Sequence, residues 1–370
     1  MDLGLLRPLY DAPVNAEVVT VHVDTSREDR DADKRLELTW RDLRRTLEEQ
    51  GADEASLAAL DPEVGASPHI AGPQGESLFA ADGRLLGAFA LSQPPGRNQG
   101  LVGPVVDPLE TVLDLDRQLS YVVVALDRSG GDIAAYPAGA FDPQSRRTYD
   151  GTTLHLTRVG AGGPSMASYH RRSVNAWTSN AAGVAREVVE AAAQVEAAVV
   201  FIGGDPKAMP LLREQLVAAG LDAEIVEVAG GRGGRDADAA LREAVDEGLA
   251  GASLAEHRRV MAEYSDALGE GRAVHGIPAV SEAFAGGAVE TLLLSADRGA
   301  DPMKWGTATD ARLIASAPAG LGAAVDGAFE AKAGLLMLRA ATATDASFSE
   351  LLPGTHADDG CGAILRFTAG

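Results

Sequence analysis

The stretch Arg158–Arg172 reads RVGAGGPSMASYHRR and contains the most unusual local pattern of the chain. Three glycines and an alanine, Gly160–Gly163, run directly into Pro164, and basic residues follow at His170–Arg172. Glycine permits backbone angles that other residues avoid, whereas proline fixes its own φ and has no N–H to donate. We therefore expect a shaped, projecting loop whose tip meets a partner.

The composition excludes several classes of protein. The chain has 370 residues, which suits two or three domains, and a formal net charge of −22, which opposes non-specific binding to nucleic acid or anionic lipid. The single cysteine, Cys361, excludes an internal disulfide and a cysteine-based zinc site. No run of about 18 apolar residues is present. We expect a soluble cytoplasmic protein with no membrane contact and no cofactor, which would bind RNA only through local basic patches.

The first third of the chain predicts a small domain containing both strands and helices. Alternating β-branched residues predict a strand over Ala16–Ser26, and an amphipathic helix with a leucine-rich stripe follows it. A hairpin is expected around Asp82-Gly83, and a loop at Gln93–Gly100. The helix also carries a basic stripe, which is more typical of a solvated face than of a binding site. Its members are Arg41, Arg44 and Arg45.

From residue 120 onward, strands alternate with helices. A hairpin with its turn at Arg128–Gly131 and a third strand at Thr152–Val159 precede a long helix, and strand, helix, strand and helix follow. The last hundred residues repeat this alternation. The fold class is therefore α/β (α+β), with a mixed-sheet middle domain and a C-terminal α/β sandwich. We expect three domains, at residues 1–113, 114–270 and 271–370.

Enzymatic motifs are weak. Two further glycine-rich stretches begin at Gly203 and Gly230, but neither has the lysine and Ser/Thr of a P-loop. Arg232 and Arg235 could contact a phosphate in the second stretch, although an ordinary strand-to-helix loop is the commoner structure for such a sequence. The histidines show no metal-binding spacing, and Ser165 lacks the flanks of a nucleophile elbow.

The order of the motifs resembles that of archaeal and eukaryotic class I release factors. In that family a Gly-Gly-Gln loop is followed by small, aromatic and basic residues and a long helix, as in VGAGGPSMASYHRRSVNAW here. AAVVFIGGDPKAMPLLREQL resembles the next strand and helix, while AVSEAFAGGAVETLLLS and GCGAILRF resemble C-terminal elements. The resemblance spans Ser120–Phe367 and implies a three-domain, release-factor-like architecture with the glycine-rich loop on its middle domain.

One departure from the family decides the functional prediction. Gly162 and Gly163 correspond to the paired glycines, but Pro164 stands in place of the glutamine that helps to position water during peptidyl-tRNA hydrolysis. The family's Asn-Ile-Lys-Ser element for reading stop codons is also missing from the N-terminal segment. Since proline supplies neither N–H nor side-chain donor, we expect no hydrolase activity.

The remaining features resemble bacterial members of the superfamily, including the Balon-type ribosome hibernation factors. This resemblance implies a non-catalytic factor that occupies the ribosomal A site during stress or dormancy, contacts ribosomal RNA and can be delivered by elongation factor Tu. The expected contact residues are the loop tip and its basic base. They are Gly162, Gly163, Pro164, Ser165, His170, Arg171 and Arg172, with Arg41, Arg44, Arg45, Arg232 and Arg235 as secondary basic contacts.

Two other functions remain open from the sequence. The same docking surface could serve a ribosome-rescue peptidyl-tRNA hydrolase or an RNA-cleaving factor. Alternatively, the C-terminal domain could make the protein an adaptor for a translational GTPase. The missing glutamine argues against the peptidyl-tRNA hydrolase, but it does not distinguish among the other functions.

Overall fold

The structure is a computed structural model that describes residues 1–11, 16–27, 31–67, 72–140, 142–151 and 164–367, with the backbone alone for 164–174. It divides into two units by internal contacts: Met1–Asp116 together with Glu256–Gly370, and Arg117–Ala255. The first unit thus contains most of both the predicted N-terminal and the predicted C-terminal domain. The three-domain boundaries remain a prediction.

The N-terminal part of the first unit is built on an antiparallel sheet of order β3-β2-β1-β4. Its strands are β1 (Val18–Asp24), β2 (Gly75–Ala81), β3 (Arg84–Leu91) and β4 (Gln99–Gly103). The predicted hairpin is confirmed: β2 pairs with β3, and Asp82 and Gly83 between them have φ values of 51° and 70°. Two central residues with positive φ are the geometry of a tight hairpin turn.

Three helices accompany this sheet. They are α1 (Ala32–Glu49), α2 (Glu54–Leu60) and α3 (Leu109–Arg117). Leu43 and Leu47 of α1 are buried against strand residues such as Val21, which confirms the predicted apolar stripe. β4 begins at Gln99, inside the stretch predicted to be a loop, so the end of that loop assignment was wrong.

The second unit contains a five-stranded mixed sheet of order β7-β6-β5-β8-β9. Its strands are β5 (Tyr121–Leu126), β6 (Gly130–Tyr136), β7 (Ser145–Asp150), β8 (Val199–Gly204) and β9 (Glu224–Val228). β5 pairs antiparallel with β6 and parallel with β8, which confirms the predicted mixed sheet. The predicted third strand at 152–159 lies outside the described residues. The strand β7, which follows β6, was not predicted.

Helices cover both faces of this sheet. They are α4 (Pro164–Val195), α5 (Met209–Ala218) and α6 (Arg235–Gly269). Val184 and Val188 of α4 pack with Leu212 of α5 on one face of the sheet. Leu241 and Val245 of α6 pack on the other face, over β8 and β9. The sheet therefore holds the end of α4 that lies farther from the glycine-rich loop.

The C-terminal part of the first unit has a mixed sheet of order β10-β15-β11-β14 and a separate two-stranded ribbon of β12 and β13. Its elements are β10 (Ala273–His275), α7 (Ile277–Ala285), β11 (Val289–Leu294), β12 (Met303–Thr307), β13 (Ala328–Lys332), α8 (Ala333–Ala343), β14 (Ser347–Glu350) and β15 (Cys361–Leu365). Phe284 and Met337 of the two helices share one core with Leu292 of the sheet, which confirms the predicted α/β layering. In the part of the chain that the structure describes, no helix is long and apolar enough to cross a membrane.

Candidate functional site

The predicted contact loop lies only partly within the described residues. Gly162 and Gly163 lie outside them, whereas Pro164 is the first residue of α4. Ser165 and the basic run His170–Arg172 follow within the first turns of the helix. Proline suits this position because the first N–H groups of a helix have no partner within it. The role of these residues as a contact surface remains a prediction.

A group of charged residues connects the strand that enters the loop to the rest of the sheet. We call Arg232 with its three carboxylate partners the entry cluster. The guanidinium Nε of Arg232 donates to Asp132 Oδ2 at 2.9 Å, and Nη2 donates to Asp150 Oδ1 at 3.1 Å. Nη1 lies 3.5 Å from Asp127 Oδ2. Because Asp150 is the last residue of β7, this cluster fixes the chain just before the loop segment.

The charges of the entry cluster are set by its own geometry. Burial opposes ionisation of Asp127, but hydrogen bonds from Ser129 and Gly130 and the charge of Arg232 outweigh it and hold the pKa of Asp127 below its usual range. Burial likewise opposes the charge of Arg232, yet its three carboxylates raise the pKa of the guanidinium. One guanidinium thus faces three carboxylates, and the mutual attraction favours the charged forms of Arg232 and Asp127.

A second group of contacts holds the helix that leaves the loop, and we call it the exit cluster. Arg128, in the β5–β6 turn, donates from Nε to Asp205 Oδ2 at 2.9 Å. Its guanidinium carbon lies 4.9 Å from the ring centroid of Trp177, a cation–π distance. The carbonyl of Arg128 accepts a hydrogen bond from Asn180 Nδ2 at 2.9 Å. Trp177 and Asn180 belong to α4, so this turn anchors the helix 13 to 16 residues beyond Pro164.

Both clusters depend on close packing of glycines at the carboxyl ends of β8 and β9. Gly204 and Gly231 have φ values of +148° and +142°, and a Cβ on Gly231 would lie 2.5 Å from the Cα of Gly204. A side chain on Gly231 would force the two loops apart, and a Cβ on Gly204 would overlap the backbone carbonyl of Leu126 in β5. The stretch Gly230–Gly234 joins β9 to α6, and its Arg232 already pairs with Asp132. The geometry therefore favours the interpretation of this stretch as an ordinary strand-to-helix connection over its interpretation as a phosphate-binding loop.

The secondary basic candidates differ in their surroundings. On α1, Arg41 pairs with Glu37 at 2.9 Å, and Arg45 lies 3.3 Å from Glu49. Arg44 lies 2.6 Å from Glu54 and also pairs with Glu48 and Asp61, and these hydrogen bonds raise its pKa. Ion pairs spaced by four residues are typical of a solvated helix face. Arg235 is exposed at the start of α6. The role of these arginines in binding remains a prediction.

The arrangement suits positioning rather than bond-making. The carboxylates of both clusters already form ion pairs with arginine, and the pKa of Asp205 is also lowered because hydrogen bonds from Lys207 and Arg128 outweigh the effect of its burial. Among the described residues, no group of three or more His, Cys, Asp or Glu side chains is placed to hold a metal ion. The clusters tie the end of β7 and the Trp177–Asn180 part of α4 to the β5–β6 turn.

Sequence reasoning found only Arg232 among these positioning residues, and it assigned that residue to a different role. The other members are Asp127, Arg128, Asp132, Asp150, Trp177, Asn180 and Asp205. The available signal was the DRSGGD sequence, which places acid and arginine in a turn directly after a buried strand. Turns at the carboxyl ends of parallel strands commonly carry functional residues.

Comparison with known proteins relates the middle of the chain to a bacterial protein family. Residues 120–270 match the model of the bacterial archaeo-eukaryotic release factor family 2, which confirms the family resemblance seen in the sequence. An uncharacterized protein of Mycobacterium tuberculosis (strain ATCC 25618 / H37Rv) is 29% identical over 189 residues, covering 50% of this chain and 49% of that protein. The chain spans about half the length of the curated relatives it matches.

Several solved structures align along most of the chain at low identity. A translation termination-like factor of S. cerevisiae, involved in RNA quality control, is 10% identical with a TM-score of 0.41, covering 100% of this chain and 93% of that one. Ribosome-bound archaeal Pelota is 14% identical with a TM-score of 0.39, covering 100% and 95%. Archaeoglobus fulgidus Pelota is 15% identical with a TM-score of 0.32, covering 80% and 81%.

Proposed function

Because the chain is a bacterial archaeo-eukaryotic release factor-like protein over residues 120–270, we propose that it is a ribosome-associated translation factor. More specifically, it acts in the cytoplasm without catalysis, occupying the A site and blocking or protecting idle ribosomes during stress or dormancy. Ribosomal RNA is the proposed contact, and elongation factor Tu is the proposed delivery partner.

Pro164 is the observation that carries the non-catalytic part of this proposal. It stands where the sequence resemblance places the glutamine of the family, and it begins α4. A proline donates no backbone hydrogen bond and has no polar side chain, so it cannot orient a water molecule or stabilise an oxyanion. Loss of a single oxyanion donor typically lowers a rate by about 100-fold or more. Peptidyl-tRNA hydrolysis at this loop is therefore disfavoured.

The entry and exit clusters support a docking role for the loop. A loop that binds RNA through its shape needs fixed ends, because ordering a flexible segment on binding costs conformational entropy. Asp150 on one side and Trp177 on the other are both tied to the hairpin turn between β5 and β6 through Arg232 and Arg128. Such contacts reduce the freedom that the loop would lose on docking.

Ribosome pelleting over a range of salt concentrations tests the proposal. Purified protein should sediment with ribosomes, and binding should weaken as salt rises, because the net charge of −22 leaves only local basic patches for phosphate contact. Replacing both Arg171 and Arg172 with alanine should weaken sedimentation while leaving the thermal unfolding midpoint nearly unchanged. Arg213→Ala, an exposed residue of α5, serves as the matched control.

A hydrolysis assay separates the proposal from its main alternative. Programmed ribosomes carrying peptidyl-tRNA should release no peptide when the protein is added. Release at the rate of a termination factor would refute the non-catalytic assignment and favour the ribosome-rescue hydrolase. Sedimentation equal to wild type in the Arg171/Arg172 variant would instead assign these arginines to a solvated helix face.

A further inference from the structure

One face of the five-stranded sheet is only half covered. α6 packs over β8, β9 and part of β5, and an open trough of about 800 Å³ lies beside it. Its floor is formed by small side chains of β5 and β6, including Ala125 and Ala134, and α6 forms one wall. Ligand pockets typically enclose about 300–1,000 Å³.

An aromatic pair lies at one end of this trough. The rings of Tyr121 and Tyr136 are stacked, with centroids 4.6 Å apart and planes 8° from parallel. Phe201 contacts Tyr121 edge-on with centroids 6.1 Å apart, so the pair is backed by the core of the sheet. Tyr136 is half-buried and lines the trough. A flat ring fixed in this way can extend its stack onto a planar ligand.

Two arginines line the same trough and are exposed. Arg146 lies on β7 and Arg242 on α6, and neither forms an ion pair with any residue in the described ranges. Arg147 also lines the trough, but it pairs with Glu187 and Glu190. Unpaired arginines beside stacked aromatic rings are the combination by which proteins hold unpaired bases and their phosphates.

Acidic side chains in the trough limit the attraction for phosphate. Asp132 is compensated by Arg232 and accepts a hydrogen bond from Thr148 at 2.9 Å. Asp238 and Asp246 also line the trough, on the same helix as Arg242. The trough is therefore close to neutral in a chain of charge −22, and binding energy should come more from stacking than from phosphate contacts.

We propose that this trough binds single-stranded RNA, with an unpaired base stacked on Tyr136 and the adjoining phosphates held by Arg146 and Arg242. The inference rests on the proposed function only for the source of the RNA, which would be ribosomal. Double-stranded RNA should bind poorly, because paired bases cannot present a face to the tyrosine ring.

Fluorescence anisotropy with labelled eight-nucleotide adenine or uridine RNA, in the absence of ribosomes, tests this proposal. Wild-type protein should bind both single strands more tightly than a duplex of the same length. Tyr136→Ala should weaken binding about tenfold, because stacking on one aromatic ring has about that effect, while Tyr136→Phe should retain most of it. The double variant Arg146→Ala/Arg242→Ala should also bind more weakly, and Arg213→Ala should match wild type.

Salt dependence gives an independent check. Two phosphate contacts predict that the logarithm of the affinity falls against the logarithm of salt with a slope of about −1.4 in wild type and near zero in the double arginine variant. Equal binding by wild type and both trough variants, or equal binding of single strands and duplex, would overturn the proposal. Because no ribosome is present, those outcomes leave the ribosome-pelleting test unaffected. The double arginine variant changes only exposed side chains, so it decides the matter even if Tyr136→Ala unfolds.

Discussion

Removal of the Arg232 side chain is the most direct test of how the loop is held. In Arg232→Ala, the carboxylates of Asp127, Asp132 and Asp150 lose their shared cation. Asp150 ends β7, so the end of this strand loses its side-chain tie to the β5–β6 hairpin and keeps only its backbone pairing with β6. We expect local destabilisation of β7 and weaker ribosome binding, while the core between α4 and the sheet stays intact.

The size of the effect can be worked out from exposure and geometry. Asp132 is met by two guanidinium nitrogens, at 2.9 Å and 3.3 Å, and this charge-assisted contact contributes about 1–1.5 kcal/mol. The carboxylate of Asp150 is 75% exposed, so water screens its pair and limits it to about 0.5 kcal/mol. Asp127 keeps its hydrogen bonds from the turn after the substitution. The total is about 1.5–2 kcal/mol, which corresponds to about a 10- to 30-fold change in an opening equilibrium.

Hydrogen exchange followed by mass spectrometry measures this change segment by segment. Amides of β7 should exchange about 10- to 30-fold faster in Arg232→Ala, and those of α5 should not change. Arg213→Ala is the control, since its pair with Glu227 is exposed at 3.4 Å and should contribute less than about 1 kcal/mol. If β7 exchanges equally in both variants, the entry cluster does not hold the loop.

The pH dependence of stability provides a second test of the entry cluster. Hydrogen bonds from the turn and the charge of Arg232 outweigh the effect of burial and lower the pKa of Asp127 in the folded state. A carboxylate with a lowered folded pKa contributes stability above its unfolded value of about 3.9, and that contribution is lost as the pH falls through the folded value. The difference between wild type and Arg232→Ala should therefore shrink below about pH 4.

Two further predictions concern packing and protonation. Gly183→Ala should lower the free energy of unfolding by about 1–3 kcal/mol, because a Cβ there would overlap the ring of Tyr149. Gly251→Ala, in a helix with open space around the glycine, should raise the free energy of unfolding by about 0.5–1 kcal/mol. Urea unfolding of the two variants measures both changes. Burial lowers the pKa of His22 despite the nearby carboxylate of Asp107, so the unfolded chain binds a proton first as the pH falls below about 6.5. The free energy of unfolding should therefore decrease as the pH falls below that value, and this decrease should be smaller in His22→Gln. The urea midpoints of wild type and His22→Gln are compared at pH 7.5 and pH 5.5. An equal change of midpoint between the two pH values in both proteins would contradict this prediction.

Local sequence was enough to predict much of the second unit. The apolar runs that became β5, β8 and β9 contain β-branched residues and end in glycine or acidic turns, and each carries its signal within a few residues. The strand β7 carries no such signal. Its sequence, SRRTYD, places a single large apolar ring, that of Tyr149, towards the core, and its arginines and threonine face the two surfaces. A strand on the edge of a sheet is defined by its pairing with a neighbour, which short-range periodicity does not record.

The strand β4 was missed for a related reason. Gly100 predicts a loop when it is considered alone, but in the sheet it lies under the side chain of Leu47, where a Cβ would come within 2.9 Å of the leucine Cγ. A glycine in a strand often marks such a close approach. The entry cluster was beyond sequence reasoning altogether, because Arg232 and Asp132 are 100 positions apart and meet only through the register of the completed sheet.

The glycine-rich stretches of the second unit have a shared structural cause that a search for phosphate loops overlooks. Gly204 and Gly231 bring the ends of β8 and β9 into backbone contact, and this packing sets the position from which Arg232 can reach Asp132. The glycines thus let the ends of β8 and β9 pack closely, and Arg232 then pairs with the carboxylates of β6 and β7. Under the proposed non-catalytic function, binding depends on the shape of the contact loop. Residues that fix this shape should therefore matter as much for its affinity as the residues at the tip.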